Sequence, residues 1–115
     1  MTEKNNNEIS ASRILRNMHE RIIKDFMDIV ILAELKKGHT MSGYDFILFI
    51  QKKFRILISP GTVYSVFYAL ERDGLTEGML NTRKRVYRLT DKGKETINNI
   101  LNAKEKIQRF MTTLF

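Results

Sequence analysis

Residues 59–75 read as one short helix with its own start and stop signals. Ser59 is typical of an N-cap that accepts a hydrogen bond from a first-turn amide. Pro60 suits the first helical position, because its missing N–H has no partner there. Gly74 can end the helix in a left-handed conformation. The segment therefore predicts a helix with two sharp ends, and this limits the folds open to the chain.

This predicted helix has one apolar face and one polar face. Apolar residues recur at steps of three and four, which predicts a buried stripe. The opposite face carries mostly small or hydrogen-bonding side chains, which suits the floor of a DNA major groove. The stripe contains Val63, Val66, Phe67 and Leu70, and the polar face contains Thr62, Ser65, Tyr68 and Arg72.

Composition limits the class of protein. The 115 residues are 43% hydrophobic, enough for one compact domain with its own core and an extra element. Twenty Lys plus Arg against 13 Asp plus Glu give a net charge of +7, which favours polyanionic partners, nucleic acid first. The chain has no Cys, which removes disulfides and thiolate metal sites and favours a reducing, cytoplasmic location. We find no leader and no apolar stretch long enough for a membrane.

The first half of the chain is predicted to be helical. Residues 1–8 have no apolar period and are expected to form a disordered tail. Residues 9–35 follow a helical period, either as two helices or as one helix bent near Asp25. A further helix is predicted from Ser42 to Phe54, with the serine as its cap. The β-branched residues 56–58 could add one edge strand.

The second half is predicted to hold a hairpin and one terminal helix. Leu75 to Leu80 and Arg85 to Thr90 read as strands joined by residues 81–84, with Tyr87 and Leu89 on one face. The terminal helix begins at Thr90 and runs nearly to the end of the chain.

The predicted fold is mainly α with a small β-hairpin (α+β). The order helix, helix, helix, hairpin, helix is that of a winged helix-turn-helix, here with additional N- and C-terminal helices. We divide the chain into the tail 1–8, a winged-helix domain 9–96 that includes the N-terminal helix, and a C-terminal dimerisation helix 97–115.

In such a fold the second helix of the helix-turn-helix enters the major groove. The opening amides of residues 60–73 lie at the positive end of the helix dipole, where phosphate binds readily. Tyr64 and Tyr68 either place hydroxyl groups at the DNA backbone or are partly buried flanks. The residues predicted to contact DNA from this helix are Ser59, Gly61, Thr62, Tyr64, Ser65 and Tyr68.

The hairpin turn carries the densest positive cluster of the chain. Arg83, Lys84 and Arg85 are consecutive, and Arg88 follows on the same strand. On a wing these residues would contact phosphates or enter the minor groove, which favours arginine. The alternative is a solvated turn that only keeps a strand edge from pairing. Three successive cations exceed what that role needs, so we predict DNA contacts for all four.

The terminal helix carries a heptad-like apolar seam, which Lys104 interrupts at one core position. The seam either packs on residues 9–24 of its own chain or meets a second copy, and both arrangements can hold at once. A homodimer fits the two-fold symmetry of palindromic DNA. The predicted interface residues are Ile97, Ile100, Leu101, Ile107, Phe110, Met111 and Leu114, with Ile14 and Met18 from the N-terminal helix.

No constellation of residues indicates an enzyme or a cofactor. His19 and His39 are isolated in sequence, without the neighbouring carboxylates that a metal site needs, and no glycine-rich phosphate loop occurs. Double-stranded DNA is the predicted partner. The alternative is a winged helix that serves as a protein-interaction module, since a fold does not fix a function. No motif supports a small-molecule effector, and the sequence leaves that question open.

Three blocks resemble the PadR-like family of transcriptional regulators. Residues 38–47 (GHTMSGYDFI) are similar to the family's supporting helix. Residues 59–64 (SPGTVY) and 70–75 (LERDGL) resemble its recognition helix and the exit from it. Residues 85–95 (RVYRLTDKGKE) are similar to its wing strand and the start of the last helix. In this order the blocks cover about residues 26–96.

The resemblance implies a winged-helix fold, homodimers joined through terminal helices, and repression at palindromic promoter sites. It also implies that Ser59, Thr62 and Tyr64 touch DNA. The chain has no Trp, so the resemblance carries over no drug pore lined by tryptophan. The helical segment before residue 25 and the single predicted C-terminal helix depart from the pattern of some members.

Overall fold

The computed structural model describes residues 3–115, and within them six helices and two strands follow the predicted order. The elements are α1 Glu3–Asp25, α2 Met27–Leu35, α3 Gly43–Phe54, α4 Pro60–Arg72, β1 Thr76–Asn81, β2 Lys84–Leu89, α5 Asp91–Asn102 and α6 Lys104–Leu114.

The helical region before residue 36 consists of two helices. Phe26 leaves the helical conformation (φ −110°, ψ 30°), but hydrogen bonding resumes at once, because Val30 donates to the Phe26 carbonyl at 3.0 Å. The expected tail is wrong for residues 3–8, which belong to α1. Asparagine is only about 0.5–0.7 kcal/mol per residue less favourable than alanine in a helix, so the asparagine run does not prevent α1 from beginning at Glu3. Residues 1–2 lie outside the described residues.

The helix α3 begins with a complete capping box. The Ser42 hydroxyl accepts from the Asp45 amide at 3.0 Å, and the Asp45 carboxylate accepts from the Ser42 amide at 2.9 Å. Ser42 itself is buried. The predicted start of this helix is confirmed.

The segment between α3 and α4 pairs with no strand of the described chain, so the expected edge strand at residues 56–58 is wrong. Ile56 and Ile58 are buried in the core and Leu57 is exposed, so the apolar alternation reflects packing of a single segment. The hairpin instead gains a bridge from Met41, which exchanges backbone hydrogen bonds with Tyr87 at 2.9 and 3.1 Å.

The helix α4 ends as predicted but begins differently. Gly74 has a φ of 77°, and the Leu75 amide donates to the Leu70 carbonyl at 2.9 Å, which is the Schellman arrangement. Pro60 occupies the first turn, whereas the Ser59 side chain makes no capping hydrogen bond. The serine cap expected there is therefore absent from the structure.

The hairpin β1–β2 is antiparallel and packs on α4. Thr76 pairs with Leu89 and Asn81 with Lys84, which leaves residues 82–83 as the turn. The Tyr87 ring lies 4.7 Å from the Phe67 ring, centroid to centroid. Tyr87 and Leu89 are both buried, as their shared face predicted.

The C-terminal region is two helices rather than the single helix that was expected. Ala103 leaves the helical conformation (φ −94°, ψ 13°) and separates α5 from α6. Alanine is a strong helix former, so no local signal marks the break. The domain boundary at residue 96 falls inside α5, whose Ile97 is fully buried in the core.

Candidate nucleic-acid interface

The core orients α4 so that one side faces outward. Val63, Phe67 and Leu70 are buried, and the Phe67 ring meets the Phe46 ring of α3 edge-on at 6.2 Å. Because side chains three and four positions apart share a face, burial of this stripe exposes the opposite one. The exposed residues are Gly61, Thr62, Tyr64, Ser65, Tyr68 and Arg72.

The first turn of α4 keeps free backbone donors. The first helical hydrogen bond from this end joins the Val63 amide to the Ser59 carbonyl at 3.1 Å. Within residues 3–115, the amides of Gly61 and Thr62 have no hydrogen-bond acceptor. They lie at the positive end of the helix dipole, so an anion there would gain two donors and a favourable field.

Ser65 and Thr62 are both exposed on the outer face of α4. The Ser65 hydroxyl donates to the Gly61 carbonyl at 2.9 Å, which leaves its oxygen free to accept a further bond. Both residues line a cleft of about 460 Å³ between α4 and the α1–α2 junction, where Lys24, Asp25 and Asp28 contribute charged side chains.

Tyr64 is held against α3 by a glycine. Its ring lies on Gly43, where even a methyl group would overlap it. The side chain is still 42% exposed, and that of Tyr68 is 60% exposed, so neither tyrosine is a buried flank. The contact with Gly43 is long-range in sequence, and no local pattern predicted it.

The positive cluster of the hairpin is less free than its sequence indicated. Arg85 forms an ion pair with Glu71 at 2.6 Å, and Arg88 forms one with Glu77 at 3.1 Å. Lys84 lies 3.5 Å from Asp45, with both side chains half exposed.

Arg83 is exposed in the turn, and no carboxylate of the described residues lies within ion-pair distance. The structure thus separates one unpaired cation at the tip from three that have acidic partners. Those partners lie up to 39 residues away along the chain, at Asp45 for Lys84, so the sequence run could not reveal them.

Two carboxyl groups near this surface have lowered pKa values. The Gly78 amide, followed by the Arg85 guanidinium, holds the pKa of Glu71 below its ordinary value and outweighs the effect of burial. Burial raises the pKa of Asp45, but the hydrogen bonds from Ser42 and the charge of Lys84 together lower it. Both groups are therefore ionised at neutral pH.

Arg72 is a further candidate contact, which its sequence spacing placed on the polar face without indicating a role. It follows Tyr68 by one turn and is exposed, with only a 3.9 Å approach to Asp73. The spacing of four from Tyr68 was the available signal.

The terminal helices expose most of the apolar residues that were predicted to form an interface. Ile14, Ile107, Phe110 and Leu114 are exposed, and Met18 and Met111 are half-buried. Ile97 is wrong as an interface residue, because it is fully buried in the core of its own chain.

Ile100 and Leu101 lie between these two cases, half-buried against the same core. Further apolar side chains on α1 continue the exposed surface, namely Ile9, Leu15 and Ile22. The exposed apolar faces of α1 and α6 are called the terminal apolar surface below.

Other kinds of site find no support in the described residues. No group of three His, Asp or Glu side chains among them could hold a metal ion. None of the described helices is both long and apolar enough to cross a membrane.

Comparison with known proteins agrees with this geometry. Residues 31–99 match the profile of the transcriptional regulator PadR-like family. No curated protein sequence matches the chain.

Solved structures provide close structural neighbours. A transcriptional regulator from Clostridium thermocellum is 26% identical, with a TM-score of 0.69 over 82% of this chain and 94% of that one. A PadR-like transcriptional regulator from Bacillus cereus is 21% identical, with a TM-score of 0.67 over 82% and 95%.

A third structure shows Bacillus subtilis PadR in complex with operator DNA. It is 25% identical, with a TM-score of 0.57 over 66% of this chain and 45% of that one. The profile match spans more than half of the chain, and the winged-helix fold agrees with it. The chain belongs to the PadR-like family of transcriptional regulators.

Proposed function

We propose that this regulator is a repressor that binds palindromic duplex DNA as a homodimer. The helix α4 enters the major groove, and the wing β1–β2 contacts the flanking backbone or minor groove. The observation that carries the proposal is the outer face of α4, where small and hydrogen-bonding side chains surround a first turn with free amides. The similarity to Bacillus subtilis PadR, whose structure contains operator DNA, supports it.

Contacts from α4 divide into two kinds. The amides of Gly61 and Thr62, with the exposed hydroxyl of Ser59, bind phosphate at the helix N-terminus. Ser65 and Thr62 contact base edges, and Arg72 extends the same face. Tyr64 and Tyr68 place their hydroxyl groups at the DNA backbone.

Contacts from the wing begin at its tip. Arg83 and Lys84 neutralise phosphates first, because one lacks an ion-pair partner among the described residues and the other has a distant, half-exposed one. Arg85 and Arg88 add positive charge to the wing while carboxylates of the chain hold their guanidinium groups.

The terminal apolar surface forms the homodimer interface. Phe110 is 62% exposed and Ile14 is 61% exposed, and such side chains on two facing helices bury their area when a second copy covers them. A two-fold dimer presents two copies of α4, which matches the two half-sites of a palindrome. The proposed DNA target places the protein in the cytoplasm.

The test of the function is selection of tight binders from a random duplex pool. We expect a palindrome whose half-sites are about one helical turn apart. Arg83→Ala with Lys84→Ala should then weaken binding to all duplexes and reduce the log–log salt slope by about 0.9 for each lost phosphate contact. Lys52→Ala with Lys53→Ala removes the same charge from the far end of α3 and serves as the matched control.

Three outcomes contradict parts of this proposal. Equal losses in the tip and control variants would remove the wing from the interface. A pool without enrichment would favour the protein-interaction module. A chain that sediments as a monomer at the concentrations where it binds DNA would contradict the homodimer.

The interface itself is tested by Phe110→Glu. A charge inside an apolar contact is unpaired and desolvated, so the dimer should dissociate. Sedimentation equilibrium measures the effect, with Gln108→Glu on the same exposed helix as the control. Dissociation by both variants, or by neither, would contradict the assignment.

A further inference from the structure

One carboxylate oxygen ties α4 to both strands of the wing. Glu71 lies in the last turn of α4, and its Oε2 accepts from the Gly78 amide of β1 at 2.8 Å. The same oxygen accepts from Nη2 of Arg85 on β2 at 2.6 Å. We name Glu71, Gly78 and Arg85 the Glu71 clamp.

The lack of a side chain at Gly78 leaves room for the Arg85 guanidinium in the clamp. Gly78 pairs with Tyr87 across the hairpin, and a side chain at Gly78 would overlap the guanidinium of Arg85. Arg85 can therefore cross the face of the sheet to reach α4. Its guanidinium carbon also lies 5.7 Å from the centre of the Tyr87 ring, within the range of a cation–π contact.

The other ion pairs of the wing do not connect it to α4. The Glu77–Arg88 pair joins β1 to β2 and stays within the hairpin. The Lys84–Asp45 pair reaches α3 at 3.5 Å between half-exposed groups, a geometry that contributes little in water. Among the described side chains, Glu71 is the charged group that connects the wing to α4.

A carboxylate beside a DNA-binding helix repels phosphate, so it needs a compensating role. Glu71 is only 28% exposed, and it accepts two hydrogen bonds, one of them charge-assisted. It also withdraws Arg85 from free contact with phosphate. These contacts fix the position of the wing relative to α4 and add no attraction for phosphate.

We propose that Glu71 is a positioning residue, which fixes the angle between the wing and α4 so that tip–phosphate contacts and base contacts form together. The inference rests on the proposed function, because it assigns a role within DNA binding. The contacts of Arg83 and Lys84 are then coupled to those of Ser65 through the clamp, although neither tip residue touches α4 in the ion pairs described.

The geometry can be tested without DNA. Residual dipolar couplings of the β1 and β2 amides report the orientation of the wing relative to α4. We expect Glu71→Ala to change that orientation and to speed exchange of the Gly78 amide. Glu77→Gln is the matched control, because it removes a negative charge from the same hairpin without touching α4. An unchanged orientation in Glu71→Ala would overturn the inference.

The coupling is tested with the duplex recovered by selection and a scrambled duplex of the same composition. In the wild-type chain, Arg83→Ala with Lys84→Ala should weaken binding to the selected duplex about tenfold. In the Glu71→Ala background the same change should weaken binding only about twofold, a fivefold smaller effect. In the Glu77→Gln background it should cost the full amount. Glu71→Gln, which keeps an acceptor, should lie between wild type and Glu71→Ala.

The two possible failures are distinct. A wild-type chain that binds neither duplex overturns the proposed function. A wild-type chain that prefers the selected duplex, with additive losses from Glu71→Ala and the tip variant, overturns this inference alone.

Discussion

The two helices of the helix-turn-helix begin in opposite ways. At α3 a buried serine and Asp45 exchange hydrogen bonds with the backbone, so the first turn is satisfied within the protein. At α4 an exposed Ser59 makes no side-chain cap, and the amides of Gly61 and Thr62 have no acceptor within the described residues. We call the start of α3 closed, because its capping bonds lie within the protein, and the start of α4 open, because the Gly61 and Thr62 amides have no acceptor within the described residues.

The two helix starts separate a role in stability from a role in binding. The capping box of α3 stabilises the helix that supports α4, and it satisfies first-turn donors within the protein. Pro60 and the Schellman ending at Gly74 fix the length of α4 without using its first-turn donors. We therefore interpret the open end of α4 as a feature of binding.

Both helices bury an apolar face, and the largest predicted effect on stability comes from that face of α4. Phe67 is fully buried and packs on Phe46 and Tyr87. Phe67→Ala should lower the free energy of unfolding by about 3–5 kcal/mol, through lost burial and the cavity left behind. Urea denaturation measures this, with Tyr68→Ala on the exposed face as the control, expected within about 0.5 kcal/mol of wild type. Comparable losses in both variants would contradict the two-faced description of α4.

The exposed faces of α4 and α3 should differ in their effect on the preference among duplexes. Ser65→Ala should change the preference among duplexes at one base pair by about 1–3 kcal/mol, because a base contact is lost. Gln51→Ala, an exposed position in the last turn of α3, should leave that preference unchanged. Competition binding with single-base variants of the selected duplex measures both. Equal preferences in wild type and Ser65→Ala would remove Ser65 from the reading face.

The two serines at the helix starts provide a direct comparison of stability. Ser42→Ala should lower the free energy of unfolding by about 1 kcal/mol, because a capping bond is lost. Ser59→Ala removes no side-chain cap and should cost only a few tenths of that amount, while weakening DNA binding. Chemical denaturation and a binding assay separate the two effects. If Ser59→Ala is as destabilising as Ser42→Ala, both helix starts are closed and the comparison fails.

These contrasts show which features a sequence can reveal. Local signals predicted the serine cap at Ser42, the ending at Gly74 and the hairpin, because each depends on residues a few positions apart. The cap at Ser59 was wrong for a different reason: a residue type permits a hydrogen bond but does not require it. The break at Ala103 had no signal, because its residue favours a continuous helix.

The candidate site was predictable as a surface but not as a set of contacts. The exposed face of α4 follows from the apolar spacing alone. The acidic partners of Lys84, Arg85 and Arg88 depend on tertiary packing, as does the seat of Tyr64 on Gly43. Ile97 continued the seam by spacing, but the same spacing fits a residue that packs into its own core.

The smallest predicted effect is a pH dependence of stability that, of the two helix starts, only the start of α3 has. The pKa of Asp45 is lowered in the folded chain, so its contribution to stability is present above the unfolded pKa and is lost as pH falls through the folded value. The loss should be about 0.5 kcal/mol or less, because the carboxylate is partly exposed and screened.

Thermal unfolding of wild type and Asp45→Asn between about pH 6 and pH 3 measures this effect, since the ordinary aspartate pKa lies within that range. The gap between the two melting temperatures should narrow as pH falls, because protonation removes the charge that the substitution has already removed. The first turn of α4 contains no acidic residue, so its start contributes no such dependence. A constant gap would mean that the Asp45 charge does not stabilise the start of α3, and the contrast between a closed and an open helix end would then depend on Ser42 alone.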